Sequence, residues 1–340
     1  MNRDSHMGRE ENGVGLKGKN YPSRAMLVML SVVVGLLSLE IALRIVGYPV
    51  ARDIDDYMPN VPLRDDELGW RHNPGKYFFQ AEGARPIKVT YWPNGLRATR
   101  ELPAHDGKEV ILLGCSFVDG FGLSDEDTFA WKLQEHLPDL SVQNLGTAGY
   151  GTYQSLLALR RYLTQSTSIA PVIVYGFADF HTARNIKNAL GQRYWRSPAI
   201  FPYCDDEHCT SWPGSPQSSG LKAFLRTAAL LDAVKDAIAL RGKVELSHRV
   251  TARLLKEMAE TARGRGARLI VAPVFLQDPF WEEELKTLDL EVVRCDKPEL
   301  SRPEFLLSDG HPNARWSEEF SRCLGGFLRS GTGEGDRTTD

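Results

Sequence analysis

Apolar and polar residues follow one another along the chain in two kinds of pattern. Short apolar runs, typical of buried strands, occur between longer stretches in which apolar residues recur at helical spacing. The predicted strands are 109–113, 141–145, 171–176, 268–274 and 290–294. The predicted helices are 128–137, 150–164, 247–264 and 313–328. Because strands and helices alternate, we expect an α/β fold with a parallel sheet between two layers of helices, a three-layer α/β/α sandwich.

The segment before this sandwich has a different pattern. Residues 49–108 are rich in proline, glycine and aromatic residues, for example at Leu68-Gly69-Trp70 and in the run from Val89 to Gly95. This composition favours short strands and turns over helices. We therefore expect a β-rich lead-in segment that packs on a main domain covering 109–329.

A long insert interrupts the main domain at about 186–243. It begins as a loop with proline, tryptophan and cysteine, and continues as a predicted helix from near Ser219 with an apolar stripe. The stripe is interpreted either as a cover for the core or as part of a lid. In a lid, Trp195 and Trp212 would offer flat surfaces to a bound substrate. The final stretch, 330–340, has almost no apolar residue and is expected to be disordered.

The N-terminal segment is long and apolar. From Ala25 to Leu39 the chain carries no charged residue, and the apolar character continues to Leu43 with Glu40 as the one acid. About 20 apolar residues are needed to cross a bilayer. We therefore expect a transmembrane helix over 25–46.

The charges on the N-terminal side of this helix predict its orientation. Basic residues outnumber acidic ones in 1–24, so by the positive-inside rule this tail should stay in the cytoplasm. We expect a single-pass protein of the cytoplasmic (inner) membrane whose main domain faces the periplasm or the cell exterior. A cleaved signal peptide is the alternative interpretation.

The cysteines agree with export. Cys204 and Cys209 lie close together in a loop-like region, which is typical of a small disulfide loop in an oxidising compartment. A metal site there is the alternative, but no second cluster of ligands completes a zinc centre. We therefore expect no metal and no cofactor. Cys295 and Cys323 are candidates for a second bridge, which leaves Cys115 as a buried thiol.

The overall charge excludes one class of partner. The formal net charge is -3, and the sequence contains no basic run interleaved with aromatic residues and no phosphate-binding P-loop. A chain with these features produces no positive electrostatic potential that would attract nucleic acid. We expect no nucleic-acid partner.

Candidate chemistry lies where the first strand of the main domain ends. The apolar run Val110–Leu113 stops at Gly114-Cys115-Ser116. In open parallel sheets the ligand crevice lies outside the carboxyl ends of the strands, so the Ser116 hydroxyl would face it. A tight turn with a capping serine is the plain alternative. A nucleophilic serine needs a base, and Asp309-Gly310-His311 supplies a histidine with a carboxylate two positions before it.

These blocks resemble those of the SGNH or GDSL-like hydrolase superfamily, in its membrane-anchored, cell-envelope type, over about 109–328. The resemblance implies a flavodoxin-like sandwich in which Ser116 is the nucleophile, His311 the base and Asp309 its orienting carboxylate. The second block runs from Val142 to Gly151. It implies that the Gly149 amide joins the Ser116 amide in an oxyanion hole.

The chain departs from the family pattern at two places. Cys115 stands where an acidic residue is usual, and Ala178 stands where the third block places an oxyanion-binding asparagine. We expect Asn185 or His181 to supply the missing donor. Cys115 as the nucleophile is the less favoured alternative, and if Asp309 points elsewhere a Ser–His dyad remains.

Three functions follow from the resemblance. The first is a membrane-anchored serine hydrolase that cleaves an O-acyl ester, acetyl above all, through an acyl-serine intermediate on an acylated small molecule or a cell-surface polysaccharide. The second is an O-acyltransferase of the same fold that modifies envelope glycans, with glycan-assembly proteins as partners. The third is a catalytically degenerate module that binds glycans or proteins. An acyl-enzyme gives hydrolysis or transfer according to what enters the site second.

Overall fold

The structure is a computed structural model, and it describes residues 23–45, 58–79, 86–102, 108–166, 171–187, 200–212 and 243–331. The chain divides into two compact units, Met1–Pro49 and Val50–Asp340. The helices are α1 (Arg24–Ile45), α2 (Ser116–Asp119), α3 (Phe129–His136), α4 (Thr152–Gln165), α5 (His181–Asn185), α6 (Val244–Arg263), α7 (Pro279–Thr287) and α8 (Ala314–Gly331). The strands are β1 (Pro62–Asp65), β2 (Gly69–His72), β3 (Gly75–Phe79), β4 (Ile87–Tyr91), β5 (Glu109–Leu113), β6 (Ser141–Asn144), β7 (Val172–Ala178), β8 (Phe201–Cys204), β9 (Cys209–Trp212), β10 (Arg268–Phe275) and β11 (Glu291–Val292).

The described part of the N-terminal unit is the helix α1. It is long and apolar enough to cross a membrane, and none of its residues is buried. A helix that is apolar on every side is stable only where its surroundings are also apolar. Near its C-terminal end, Glu40 and Arg44 form an ion pair of 2.6 Å one turn apart, so the two charges within the apolar stretch neutralise each other.

The second unit is built on a five-stranded sheet in the order β11-β10-β7-β5-β6. Every pairing in it is parallel. Numbered along the chain, the order is that of the flavodoxin-like doubly wound fold, in which the direction of winding reverses between the first and third strands. Here those strands are β5 and β7, so the topological switch point lies where β5 ends. The predicted α/β/α fold class is confirmed.

Two hydrophobic cores cover the two faces of the sheet. Alternate residues of β5 point to opposite faces, so Val110 and Leu112 pack under α3 and α8, whereas Ile111 and Leu113 pack under α4, α6 and α7. A strand buried on both faces reads as an uninterrupted apolar run, which is why the sequence pattern identified it.

The C-terminal helix is longer than predicted. Leu328 is 1% exposed against the core, and α8 continues to Gly331. The expectation of disorder from residue 330 onward is therefore wrong for Ser330 and Gly331, because the last core contact of α8 lies only one turn before its end. Residues 332–340 lie outside the described part of the chain.

The described part of the lead-in segment forms two antiparallel hairpins, β1–β2 and β3–β4. The indole of Trp70 donates a hydrogen bond of 3.0 Å to the Ala148 carbonyl, and the Tyr150 hydroxyl donates one to the Trp70 carbonyl. The Arg97 amide donates to the Asn144 carbonyl at the end of β6, at 3.2 Å. The lead-in segment thus packs against the loop that follows β6.

The described part of the insert is one hairpin, β8–β9. Trp212 pairs through its backbone with Phe201. Trp195 and the helix predicted from near Ser219 lie outside the described residues.

Two disulfide bonds are formed. Cys204 is bonded to Cys209 in the β8–β9 hairpin, and Cys295 is bonded to Cys323. Both predicted bridges are confirmed. Since both sulfurs of the first pair are in a covalent bond, the alternative metal site at Cys204 and Cys209 is wrong.

Candidate active site

The turn after β5 is shaped by a glycine. Gly114 has φ +149°, and a Cβ added there would lie 2.5 Å from a Val118 methyl and 2.9 Å from the Gly176 carbonyl of β7. Both distances are shorter than van der Waals contact, so a side chain would push the turn away from β7. Glycine therefore lets the chain enter α2 directly, with Ser116 as the first helical residue.

A second glycine brings the loop after β6 against α2. A Cβ on Gly146 would lie 2.6 Å from the Asp119 amide nitrogen. Asn144 ties the two segments together, because its amide donates to the Val118 carbonyl at 2.8 Å and its carbonyl accepts from the Gly146 amide at 2.9 Å. Asn144 had no predicted role of its own, although its place in the second block was the available signal.

Beneath α2 lies a buried polar cluster that sequence reasoning missed. Asp119 is fully buried, and the Tyr91 hydroxyl donates to its two carboxylate oxygens at 3.1 and 3.2 Å. His72 stacks on the Tyr91 ring with 3.9 Å between centroids and lies 3.7 Å from Asp119. The cluster joins the lead-in segment to the helix that carries Ser116. The available signal was an acidic residue in an otherwise apolar turn, which has to find a partner when buried.

Burial controls the ionisation of this cluster. Burial first, and then the charge of Asp119, raises the pKa of Tyr91 well above its ordinary value. Burial lowers the pKa of His72, against the charge of Asp119, which raises it. Tyr91 therefore stays protonated as a hydrogen-bond donor, and the His72 ring is favoured in its neutral form.

The structure brings Ser116 and His311 together, although they are 195 residues apart in sequence. His311 Nε2 lies 3.0 Å from Ser116 Oγ, which is within hydrogen-bond reach for proton transfer. The Ser116 residue is 7% exposed, whereas the His311 side chain is 24% exposed. A small molecule can therefore reach the pair from the side of the histidine.

Asp309 lies on the other side of the imidazole. Its Oδ2 is 3.1 Å from His311 Nδ1, although the ring N–H is not aligned on this oxygen. Its Oδ1 accepts a hydrogen bond from the His311 amide at 3.1 Å. The contact with the His311 side chain lowers the pKa of Asp309, against partial burial, which raises it. The carboxylate is thus ionised beside Nδ1, in a contact looser than an ideal hydrogen bond, as is common in sites without substrate.

Aromatic rings form the wall next to the histidine. Phe121 and Phe117 have ring centroids 4.8 and 5.6 Å from the His311 ring. Phe117 also contacts Phe180 and Phe275, at 5.8 and 6.1 Å. These contacts restrict the imidazole and give the site an apolar side.

Gly149 follows β6 and has φ +83°, in the left-handed region that favours glycine. The Thr147 amide donates to the Gly114 carbonyl at 3.0 Å, so this loop is fixed to the turn that carries Ser116. The Ser116 amide is at the first position of α2, where no intrahelical acceptor exists. The loop that carries Gly149 and the turn that carries Ser116 therefore meet at Gly114.

The structure does not support Asn185 as an oxyanion donor. The residue has no exposed surface, and its carbonyl accepts from the Tyr153 amide at 3.0 Å. Its amide donates to the hydroxyls of Thr152 and Thr251 at 3.0 and 2.7 Å. The side chain is used to fix the start of α4 and its contact with α6, so it cannot reach a substrate in the crevice.

The structure does not support His181 as an oxyanion donor either. It has no exposed surface, and its Nδ1 lies 2.8 Å from the Tyr175 hydroxyl and accepts from the Ala178 amide at 3.3 Å. Burial first, and then the positive charge of Arg184, lowers its pKa well below the ordinary value. His181 is therefore a neutral core residue enclosed by aromatic rings.

Cys115 is the free cysteine of the described residues, and it is buried. Burial raises the pKa of its thiol, against the charge of Arg184, which lowers it. A thiol is nucleophilic as the thiolate, so these surroundings disfavour Cys115 as the attacking group and agree with its prediction as a buried thiol.

The fold and the site together define a class of protein. It is a doubly wound α/β sandwich in which a serine, a histidine and an aspartate lie in series where the winding reverses. Serine hydrolases of widely different folds use this same arrangement of three side chains.

None of the protein-family models matches this sequence, and no curated protein matches it. The structure resembles the crystal structure of TesA, at 14% identity over 66% of this chain and 99% of that chain, with a TM-score of 0.41. It also resembles the psychrotrophic esterase EstA from Pseudoalteromonas sp. inhibited by monoethylphosphonate, at 10% identity over 66% and 100%, with a TM-score of 0.40. A third is a lipolytic protein of the G-D-S-L family from Desulfitobacterium hafniense, at 14% identity over 64% and 98%, with a TM-score of 0.38. These similarities are too distant to assign chemistry, which rests on the geometry above.

Proposed function

We propose that this protein is a serine hydrolase that cleaves O-acyl esters. The observation that carries the proposal is the 3.0 Å contact between Ser116 Oγ and His311 Nε2 at the carboxyl edge of β5. Asp309 behind the imidazole supports it, because an ionised carboxylate stabilises the imidazolium that forms during proton transfer.

The reaction follows from these positions. His311 takes the Ser116 proton as Oγ attacks the ester carbonyl carbon, and the tetrahedral intermediate carries its negative charge on the former carbonyl oxygen. The amides of Ser116 and Gly149 are proposed to bind that oxygen. The alcohol leaves with the proton from His311, and an acyl-serine remains. Water then attacks the acyl-serine, again giving its proton to His311, so the carboxylic acid is released and Ser116 is restored.

The proposed acyl group is acetyl. The rings of Phe117 and Phe121 lie against His311, so the acyl group would enter beside an apolar wall. Activity that falls from acetate to butyrate to octanoate esters would agree with this, and a preference for octanoate would contradict it.

The proposed substrate is an O-acetylated polysaccharide outside the cytoplasm. Helix α1 is long and apolar enough to cross a membrane, and it is proposed to anchor the chain in the inner membrane by a single pass. The two disulfides support an oxidising compartment such as the periplasm or cell exterior for the main domain. Envelope glycan-assembly proteins are the proposed partners of an enzyme placed there.

The test uses the full-length protein in detergent with p-nitrophenyl acetate, and Ser116→Ala as the matched control. We expect turnover in the wild type that is lost in Ser116→Ala. Acetyl groups that accumulate on an added glycan acceptor, in place of free acetate, would identify the protein as an acyltransferase. Equal rates in the two proteins would contradict the proposal and favour a binding module.

A further inference from the structure

The site described above has one donor position without an assigned group. Ala178, where a third donor was expected, is a fully buried methyl. Neither Asn185 nor His181 has any exposed surface. A third donor would therefore have to come from a charged group that approaches the Ser116 turn from another segment.

Arg184, on the short helix α5, reaches the loop after β6. Its Nη1 donates a hydrogen bond of 2.9 Å to the Tyr150 carbonyl, and Tyr150 directly follows Gly149. The approach depends on Gly151, because a Cβ on Gly151 would lie 2.9 Å from the Arg184 Cβ. The Arg184 guanidinium thus binds the residue next to Gly149, whose amide is proposed to bind the oxyanion.

The same guanidinium lies next to the nucleophile turn. It is stacked over the Phe180 ring at 4.6 Å, and Phe180 contacts Phe117, the residue after Ser116, at 5.8 Å. On the other side of Ser116, the Arg184 charge acts on the thiol of Cys115. Arg184 therefore lies between the two segments that carry the Ser116 and Gly149 amides.

Its charge is available for a ligand. Among the described residues the Arg184 side chain binds a neutral carbonyl and forms no ion pair with a carboxylate, and the residue is only partly buried. A guanidinium has five N–H donors, and the Tyr150 carbonyl accepts from Nη1. A partly buried cation beside a neutral ester gains most when the carbonyl oxygen becomes negative.

We propose that Arg184 is a catalytic residue that donates a hydrogen bond to the oxyanion of the tetrahedral intermediate, as the third donor beside the Ser116 and Gly149 amides. The inference rests on the proposed function, since it assigns a group to the same reaction. It also explains how a chain with alanine at 178 can stabilise this charge, because a fixed guanidinium supplies both the hydrogen bond and a positive charge.

The experiment compares Arg184→Ala with Arg160→Ala in the full-length protein, using an oxygen ester and the matching thionoester. Arg160 is a half-exposed arginine of α4 paired with Glu257, so its loss controls for removing one arginine and one contact. For the oxygen ester we expect kcat to fall about a hundredfold to a thousandfold in Arg184→Ala, the cost of one oxyanion donor, with KM changing far less. Sulfur is the weaker acceptor, so the ratio of oxygen-ester to thionoester rates should fall in the same variant. Arg160→Ala should change neither quantity.

Each other result overturns the inference. An unchanged kcat shows that Arg184 takes no part in the reaction. A lower kcat with an unchanged oxygen-to-sulfur ratio assigns Arg184 to holding the Tyr150 loop, without contact to the reacting oxygen. A wild type without Ser116-dependent turnover overturns the proposed function itself, and the inference with it. An unchanged thermal unfolding midpoint for Arg184→Ala separates these results from a loss of folding.

Discussion

The nucleophile and the base are held in place by different kinds of structure. Ser116 is 7% exposed and Asp119, on the same turn, is fully buried, so the packing of the core holds α2 in place. The Asp309 and His311 side chains are 49% and 24% exposed. Their loop is shaped by local hydrogen bonds, from the Leu307 amide to the His311 carbonyl and from the Gly310 amide to the Leu307 carbonyl.

Because of this difference, substitutions in the two regions should affect activity and stability to different extents. Changes in the loop that carries Asp309 and His311, here called the base loop, should act on the reaction and leave the fold intact. Few core contacts depend on these two side chains. Changes around α2 should act on both, because the same packing that positions Ser116 also closes the core.

The largest expected effect is on activity alone. His311→Ala should lower kcat/KM for p-nitrophenyl acetate by about a hundredfold to ten-thousandfold, the range for loss of a general base. The urea unfolding midpoint should stay close to that of the wild type, since the side chain is partly exposed. A variant that unfolds much more easily would show that the base loop is as much a part of the core as α2.

Asp309→Asn sharpens the comparison within the base loop. Because this carboxylate is half exposed and its contact with Nδ1 is not aligned, its charge is partly screened by water. The rate should fall by about tenfold to hundredfold, less than for loss of the base. The matched control Asp296→Asn removes an aspartate paired with Arg294 outside the site, and its rate should equal that of the wild type. A loss for Asp309→Asn as large as that for His311→Ala would show that the contact is tight during the reaction.

Gly146→Ala tests the nucleophile side. The new methyl would overlap the Asp119 amide, so we expect the free energy of unfolding to fall by about 1–3 kcal/mol, as in overpacked cores, together with a loss of activity. Gly326→Ala is the control, because the added methyl meets nothing within 4 Å on helix α8. Urea unfolding should show this control as stable as the wild type or slightly more so. A Gly146→Ala protein with wild-type stability and activity would contradict the tight placement of α2.

The smallest effect concerns the pH dependence of stability on the nucleophile side. Burial holds the pKa of His72 below its ordinary value of 6.5. On acidification the unfolded chain therefore binds a proton that the folded protein does not, and stability is lost as pH falls below about 6.5. His72→Gln should lose less stability than the wild type between about pH 7 and pH 5, measured from urea midpoints. Equal losses in the two proteins would show that His72 does not titrate between the two states.

The sequence identified those features that have a local signature. Strand β5 is an uninterrupted apolar run, and such runs alternate with helical patterns, so the fold class followed from pattern alone. The Ser116 and His311 turns each combine a glycine with a reactive side chain, which made both residues candidates for the site. The contact of His72 with Asp119 joins two segments far apart in sequence, and no periodicity encodes such a pair.

The third donor shows the same limit. His181, Arg184 and Asn185 all lie on one five-residue helix, and spacing alone could not say which of them faces the crevice. Packing separates the three in the structure, because Asn185 is bonded to the start of α4 and His181 to Tyr175, whereas Arg184 donates to the Tyr150 carbonyl.

The most direct test of the account is to map the site that reacts with a fluorophosphonate. After exposure of the full-length protein, intact mass and peptide mass spectrometry should show one phosphonyl group on Ser116, with much slower labelling in His311→Ala. Labelling on another residue, or none in the folded wild type, would contradict the claim that Ser116 and His311 form an assembled nucleophile and base.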